Sequence, residues 1–203
     1  MQLTPEDEKR ISDAIRAAEQ KTSGEIFCVV AAASSNYSFV AIARAALVAL
    51  VVPIPLFFFT SLWADEIYLT QILVFVGCAI LFSLPGIRHR LVPRWVKRDR
   101  ASFEAKRQFA AHGLHLTEAR TGVLIFASLA ERHVEIVADA GINEKVSQEI
   151  WDRAIEAMIS EIRADKPVEG FIEAIKICGD VLASHFPPRA INKNELPDKL
   201  IVI

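Results

Sequence analysis

The side chains best suited to chemistry gather in one short stretch, Ala138-Asp139-Ala140-Gly141-Ile142-Asn143-Glu144. Asp139, Asn143 and Glu144 offer two carboxylates and an amide, the oxygen donors that a hard cation such as Ca2+ or Mg2+ takes. A loop leaving the end of a strand can converge such groups on one point. The same residues have a structural reading. Asp139 can bond the amides of a turn, Asn143 or Ser147 can cap the next helix, and Glu144 can face that helix's positive end. Arg120 and Arg132 are the cations that could hold an anion, such as a phosphate, through charge-assisted hydrogen bonds.

The remaining reactive residues form weaker patterns. His112, His115 and Glu118 could be imagined as metal ligands, but Gly113 ends the helix at His112, so the two imidazoles need not share a face. His133 adjoins Arg132 in a turn, and His185 closes a helix ahead of Pro187. The sequence contains no Gly-x-Ser-x-Gly, no phosphate loop and no Cys-x-x-x-x-x-Arg, and so no recognisable nucleophile motif. Cys28, Cys78 and Cys178 lack metal or disulfide spacing and sit among apolar neighbours, which suits reduced, buried thiols.

The elements that must position these groups can be read along the chain. Thr4-Pro5-Glu6-Asp7 reads as a helix start, with Thr4 as N-cap, Pro5 in the first turn and Ile11, Ala14, Ile15 and Ala18 on one face. Gly24 ends that helix, and Glu25 to Ala31 is a short apolar strand. Asp99 to His112 reads as a charged helix carrying Phe103 and Phe109. Gly122–Leu129 and His133–Ala138 read as two further strands joined by a turn at 130–132. Two amphipathic helices follow, from Val146 to Ile162 and from Val168 to Phe186, the second closed by Pro187-Pro188. The tail to Ile203 reads as loosely structured.

Between the first strand and the charged helix the composition changes. The chain as a whole carries 23 basic and 25 acidic residues, which excludes a global field of the kind that marks a nucleic-acid binder. Its mean hydropathy is +0.30, high for a chain with 24% charged residues, because apolar residues concentrate between Phe39 and Ile87. Ala45 to Trp63 and Ile67 to Ile87 contain no charged residue, apart from the turn between them, and each approaches the roughly 20 residues that cross a bilayer as a helix. Pro53 and Pro55 would kink the first span. The turn Ala64-Asp65-Glu66 is acidic, whereas the second span runs into Arg88, Arg90, Arg94, Lys97, Arg98 and Arg100. The basic side is cytoplasmic by the positive-inside rule, which puts both termini in the cytoplasm and the bases against anionic lipid head groups. Trp63, Tyr68 and Trp95 fall at the two interfaces. Met1 to Glu25 is charged and helical in pattern, unlike a signal peptide.

Three pieces of the chain together resemble the TPM-domain family. They are Leu3-Thr4-Pro5-Glu6-Asp7-Glu8 with Glu19-Gln20-Lys21-Thr22-Ser23-Gly24-Glu25-Ile26; Thr121-Gly122-Val123-Leu124-Ile125 with Val134-Glu135-Ile136; and Glu169-Gly170-Phe171 with Ala174-Ile175. The resemblance implies a Rossmann-like α/β domain, often tethered to a membrane. It also implies a family in which plant members are linked to acid phosphatase activity and photosystem II repair, and animal relatives modulate receptors. The family's loop resembles Gly-x-Gly-Leu-Glu-Gly followed by Thr-Asp; of the loop in this chain only Gly141 matches it well.

These readings give an α/β fold: a small Rossmann-like TPM-type domain with helices packed on a short sheet, interrupted by an inserted two-helix transmembrane hairpin. The expected boundaries are 1–38 and 93–188 for the two parts of the domain, 39–92 for the hairpin and 189–203 for the tail. The expected protein is a multi-pass bacterial inner-membrane protein. Its cytoplasmic domain would bind a protein partner or small ligand, and no nucleic acid. The alternative is a metal-dependent phosphatase acting on phosphomonoesters, with Ca2+ or Mg2+ held at Asp139, Asn143 and Glu144 and the anion met by Arg120 or Arg132.

Overall fold

The computed structural model describes residues 4–188 and 194–203; Leu3 and the 189–193 part of the tail lie outside the described residues. The chain divides into two compact units, Met1–Ser34 with Arg98–Ile203, and Ser35–Lys97.

In the first unit, helix α1 (Pro5–Glu19) opens on a reciprocal cap. Thr4 Oγ1 accepts the Asp7 N–H at 3.2 Å, and Asp7 Oδ2 accepts the Thr4 N–H at 3.0 Å, so two amides with no helical partner are satisfied together. Strand β1 (Glu25–Ala31) follows after a turn, and strands β2 (Gly122–Ser128) and β3 (His133–Ala138) form a hairpin. β1 and β2 run parallel, with Glu25 opposite Gly122 and Ala31 opposite Ser128. The first strand therefore completes its sheet with strands about 90 residues later in the chain, and the apolar segment is an insertion between them.

Every residue of β1 and β2 is buried, and their unbroken apolar runs follow from covering on both faces. Ile26, Cys28, Val30, Val123, Ile125 and Ala127 point to one core, shared with α1, α8 (Gln148–Arg163) and α9 (Pro167–His185). Phe27, Val29, Leu124 and Phe126 point to the other, beneath Ala101 and Ala105 of α6 (Arg94–Ala111) and Leu114 of a short 3-10 turn (Leu114–Leu116). The unit is thus a helix–sheet–helix sandwich. α6 begins five residues earlier than the sequence suggests, because Arg94 to Arg98 continue its helical turns, and Phe103 stands exposed on it instead of packing inward.

The expected loose tail is corrected by the structure. Leu200–Val202 form strand β4, parallel to β1, and give the sheet order β3-β2-β1-β4. Its three residues are too short for a periodic signal, and their pairing is available only once β1 is placed.

In the second unit, α2 (Ser38–Val51) and α3 (Pro53–Phe59) are separated at Val52, because Pro53 has no N–H to give the preceding turn. α4 (Ala64–Ser83) follows the acidic turn, and α5 (Pro85–Leu91) follows Leu84. Ala41, Ala45 and Ala49 form the buried stripe of α2, which packs along α4. Small residues at four-residue spacing let the two backbones approach. Many large apolar side chains of this unit are exposed, among them Leu47, Leu50, Phe57, Phe58, Leu73 and Ile80.

Candidate functional site

The stretch after β3 is a corner built from backbone contacts. Ala138 is the last paired residue of β3, and the Asp139 N–H reaches back to the Gly122 carbonyl at 3.0 Å. A single helical turn, α7 (Ala140–Asn143), follows at once, so part of the expected loop is helical. Asp139 is buried. Its Oδ1 accepts the Ala140 N–H at 2.7 Å, and its Oδ2 lies 3.2 Å from Arg120 Nε, a charge contact without a hydrogen bond. The Asn143 amide nitrogen donates to the Ala138 carbonyl at 2.8 Å, and Glu144 is exposed. Ser147 stands at the N-cap of α8 without a side-chain cap bond.

The corner also depends on Arg120, which adopts a left-handed backbone with φ 57°. Its N–H bonds the Thr117 carbonyl and the next amide bonds Thr117 Oγ1, which closes a tight turn ahead of β2. The carbonyl of Arg120 rests against Gly141, where a β-carbon would lie only 2.7 Å away.

This arrangement does not suit a hard cation. Arg120 already stands against the one buried carboxylate, the Asn143 amide nitrogen is spent on a backbone carbonyl, and Glu144 points to solvent. Among the described residues no group of three or more His, Cys, Asp or Glu side chains could hold a metal ion, which includes His112, His115 and Glu118. The His112 ring packs on Phe27 at 4.5 Å between centroids. Arg132, also left-handed with φ 52°, is exposed before β3, whereas Arg120 lies by its far end. A six-residue strand separates them by about 20 Å, so they cannot grip one anion.

Two polar clusters were not foreseen from the sequence. On β3, His133 and Glu135 share a face by the two-residue period; His133 Nε2 lies 2.9 Å from Glu135 Oε2, and Ser102 Oγ of α6 donates to Glu135 Oε1 at 2.9 Å. Burial pushes the Glu135 carboxyl up. The His133 and Ser102 hydrogen bonds, with the charges of His133 and Lys106, more than offset that and hold it below its ordinary range. The carboxylate stands between the imidazole and the hydroxyl, so the histidine does not activate the serine, and the cluster ties α6 to the sheet. The alternation His-x-Glu was the available signal.

The second cluster lies at the carboxyl ends of β1 and β2, where open α/β sheets usually bind ligands. Ser34 Oγ donates to Ser128 Oγ at 2.8 Å, Ser128 Oγ donates to Glu131, and the Ser34 N–H reaches the same carboxylate at 3.0 Å. These groups satisfy one another. His185 bonds Ser184 and the Val181 carbonyl within the last turn of α9, an end-of-helix role.

A mixed four-stranded sheet between helical layers, with an apolar helical hairpin inserted after its first strand, defines an α/β domain of Rossmann-like layering. Residues 91–181 match the family model described as the TPM domain, a stretch that runs from the end of α5 into α9. Among solved structures it is similar to the BA42 protein from the psychrophilic bacterium Bizionia argentinensis, with a TM-score of 0.63 and 23% identity over 100% of this chain and 97% of that one. That likeness is one of fold. No curated protein matches the chain.

Proposed function

We propose that the protein is a membrane-anchored binding module. The hairpin of α2, α3 and α4 spans a bilayer, and the TPM-bearing domain on the cytoplasmic side binds a protein partner or a small ligand. One observation carries the membrane half. The 22-residue segment Ser38–Phe59 and the 20-residue α4 are apolar enough to cross, yet only 17% of the first window and none of the second is buried within the protein. Core helices of a soluble protein bury such windows, whereas these leave whole rows of Leu, Ile and Phe uncovered, and lipid would cover them. The acidic turn on one side and the arginine-rich run on the other set the orientation, and the exposed Trp63, Tyr68 and Trp95 suit the interfaces.

The binding half is supported by the match to the TPM-domain model together with a corner where Asp139 is already held by the Ala140 N–H and the Arg120 charge. Washing isolated membranes at alkaline pH tests the anchor: the protein should stay in the pellet, and release into the supernatant would overturn it. A fluorescent protein that matures only in the cytoplasm, fused after Ile203, should glow. Turnover of a generic phosphomonoester that requires Ca2+ or Mg2+ and vanishes in Asp139→Asn would replace the binding reading by a phosphatase.

A further inference from the structure

The basic end of the hairpin is closed by a polar contact between its two sides. Asn36 lies in the connection that enters α2, next to Tyr37, which is buried and left-handed with φ 32°. Arg88 lies on α5, the short helix that follows α4. α5 packs against α2 as well as α4, and Arg88 Nη1 donates to Asn36 Oδ1 at 2.6 Å across 52 residues of sequence. The backbone beneath the side chain is fixed too, because the Arg88 N–H donates to the Leu84 carbonyl at 2.8 Å.

That contact leaves the charge of the arginine uncompensated. Its partner is a neutral amide, its Nε is buried without an acceptor, and no carboxylate lies within ion-pairing distance of it among the described residues. A guanidinium carries five N–H donors and is always charged, so a half-buried one calls for an anion. The only acidic residues between Ser35 and Lys97 are Asp65 and Glu66, in the first turn of α4. Arg88 follows the other end of that 20-residue helix, about 30 Å away along its axis. Arg90, Arg94 and Lys97 add three cations to the same end, and Arg90 and Arg94 are exposed. The hairpin itself supplies no countercharge there.

Resting on the bilayer-spanning reading of the hairpin, we propose that Arg88, steadied by Asn36, is the receptor for one phosphate group of a net-negative phospholipid.

Depth and chemistry agree on that ligand. A 20-residue helix matches the thickness of the hydrocarbon core, so α4 ends near its boundary and α5 falls at the level of the lipid phosphates. The planar fork of a guanidinium fits the oxygens of a phosphate, and a charge-assisted pair takes up donors that Asn36 leaves free. Trp95, 72% exposed, supplies an amphipathic ring suited to the same interface. Arg90, Arg94 and Lys97 favour a lipid of net negative charge over a zwitterionic one, since each cation near an anionic surface adds to the attraction. Asn36 does not meet the lipid; it is a positioning residue that sets the direction of the fork.

Native mass spectrometry of the full chain released from detergent micelles, with phosphatidylglycerol or phosphatidylcholine supplied at equal concentration, tests the site. The natural chain should retain one phosphatidylglycerol several-fold more often than one phosphatidylcholine. Retention should fall several-fold in Arg88→Gln and in Arg88→Lys, which keeps the charge but loses the fork, and to a smaller extent in Asn36→Ala. Arg100→Gln removes an exposed charge from the same basic run and should leave retention unchanged. Equal losses in Arg88→Gln and Arg100→Gln would reduce the site to a diffuse field and overturn it, as would equal retention of the two lipids. Millimolar inorganic phosphate should not displace the lipid; displacement would assign Arg88 to free phosphate instead. Should Arg88→Gln fail to insert, Asn36→Ala decides, and unchanged retention there rejects the proposal. Alkaline washing separates this result from the anchor, because a chain that stays in the membrane pellet yet shows no lipid preference loses only the phosphate site.

Discussion

Gly141 meets the carbonyl oxygen of Arg120 so closely that a β-carbon would stand 2.7 Å from it, and both sides of that contact are backbone. The turn ahead of β2 and the turn after β3 are therefore locked together at one end of the sheet. Gly141→Ala should cost about 1–3 kcal/mol, the usual range for overpacking where nothing flexible can yield. Thermal unfolding in detergent, followed by circular dichroism, should show a lowered midpoint; an unchanged midpoint would mean that the two turns can separate freely.

Asp139 and Arg120 divide the same corner unequally. Asp139 is 5% exposed at its side chain and bonds the Ala140 amide, whereas Arg120 is 58% exposed. Asp139→Ala should therefore lose about 0.5–2 kcal/mol, as for other helix caps. Arg120→Ala should lose no more than about 1 kcal/mol, since a solvent-screened pair contributes little. Equal losses in parallel denaturant titrations would contradict this division.

The Ser102–Glu135–His133 cluster gives the domain an acid-sensitive contact between α6 and β3. Because the Glu135 carboxyl is held below its ordinary range, it contributes stability that is present above the unfolded carboxylate pKa and is lost as pH falls through the lower folded value. The decline in melting temperature on acidification should be shallower in Glu135→Gln than in the natural chain. A slope identical in the two would remove Glu135 from the acid response.

Within the hairpin, Ala45 is wholly buried between α2 and α4. Ala45→Leu forces a larger side chain into that small-residue seam, at a cost of about 1–3 kcal/mol. Leu50→Ala, at an exposed position of α2, should leave the helix pairing intact. Energy transfer between labels on the two helices in nanodiscs should fall in the first variant and hold in the second.

Local sequence determined much of the architecture. Thr4-Pro5 with Asp7 predicts the start of α1 because its cap uses residues three apart, and Glu25 to Ala31 and His133 to Ala138 have the bounds expected of their strands. The uncharged runs mark out the hairpin, and the resemblance carried by Gly122, Glu135 and Gly170 agrees with the TPM domain found over residues 91–181. Tertiary structure alone decided which long-range neighbours those elements acquired. Leu200–Val202 becomes a strand only because β1 has a free edge. Asp139 loses its appearance as an open ligand because a left-handed turn some twenty residues earlier delivers Arg120 beside it. Glu19, an ordinary acid in a helical pattern, has its carboxyl pushed up to about 9 because folding buries it and brings the charges of Glu25 and Asp198 near it. Caps and periodicity depend on neighbours along the chain, whereas burial and charge pairing depend on neighbours in space, and a single sequence records only the former.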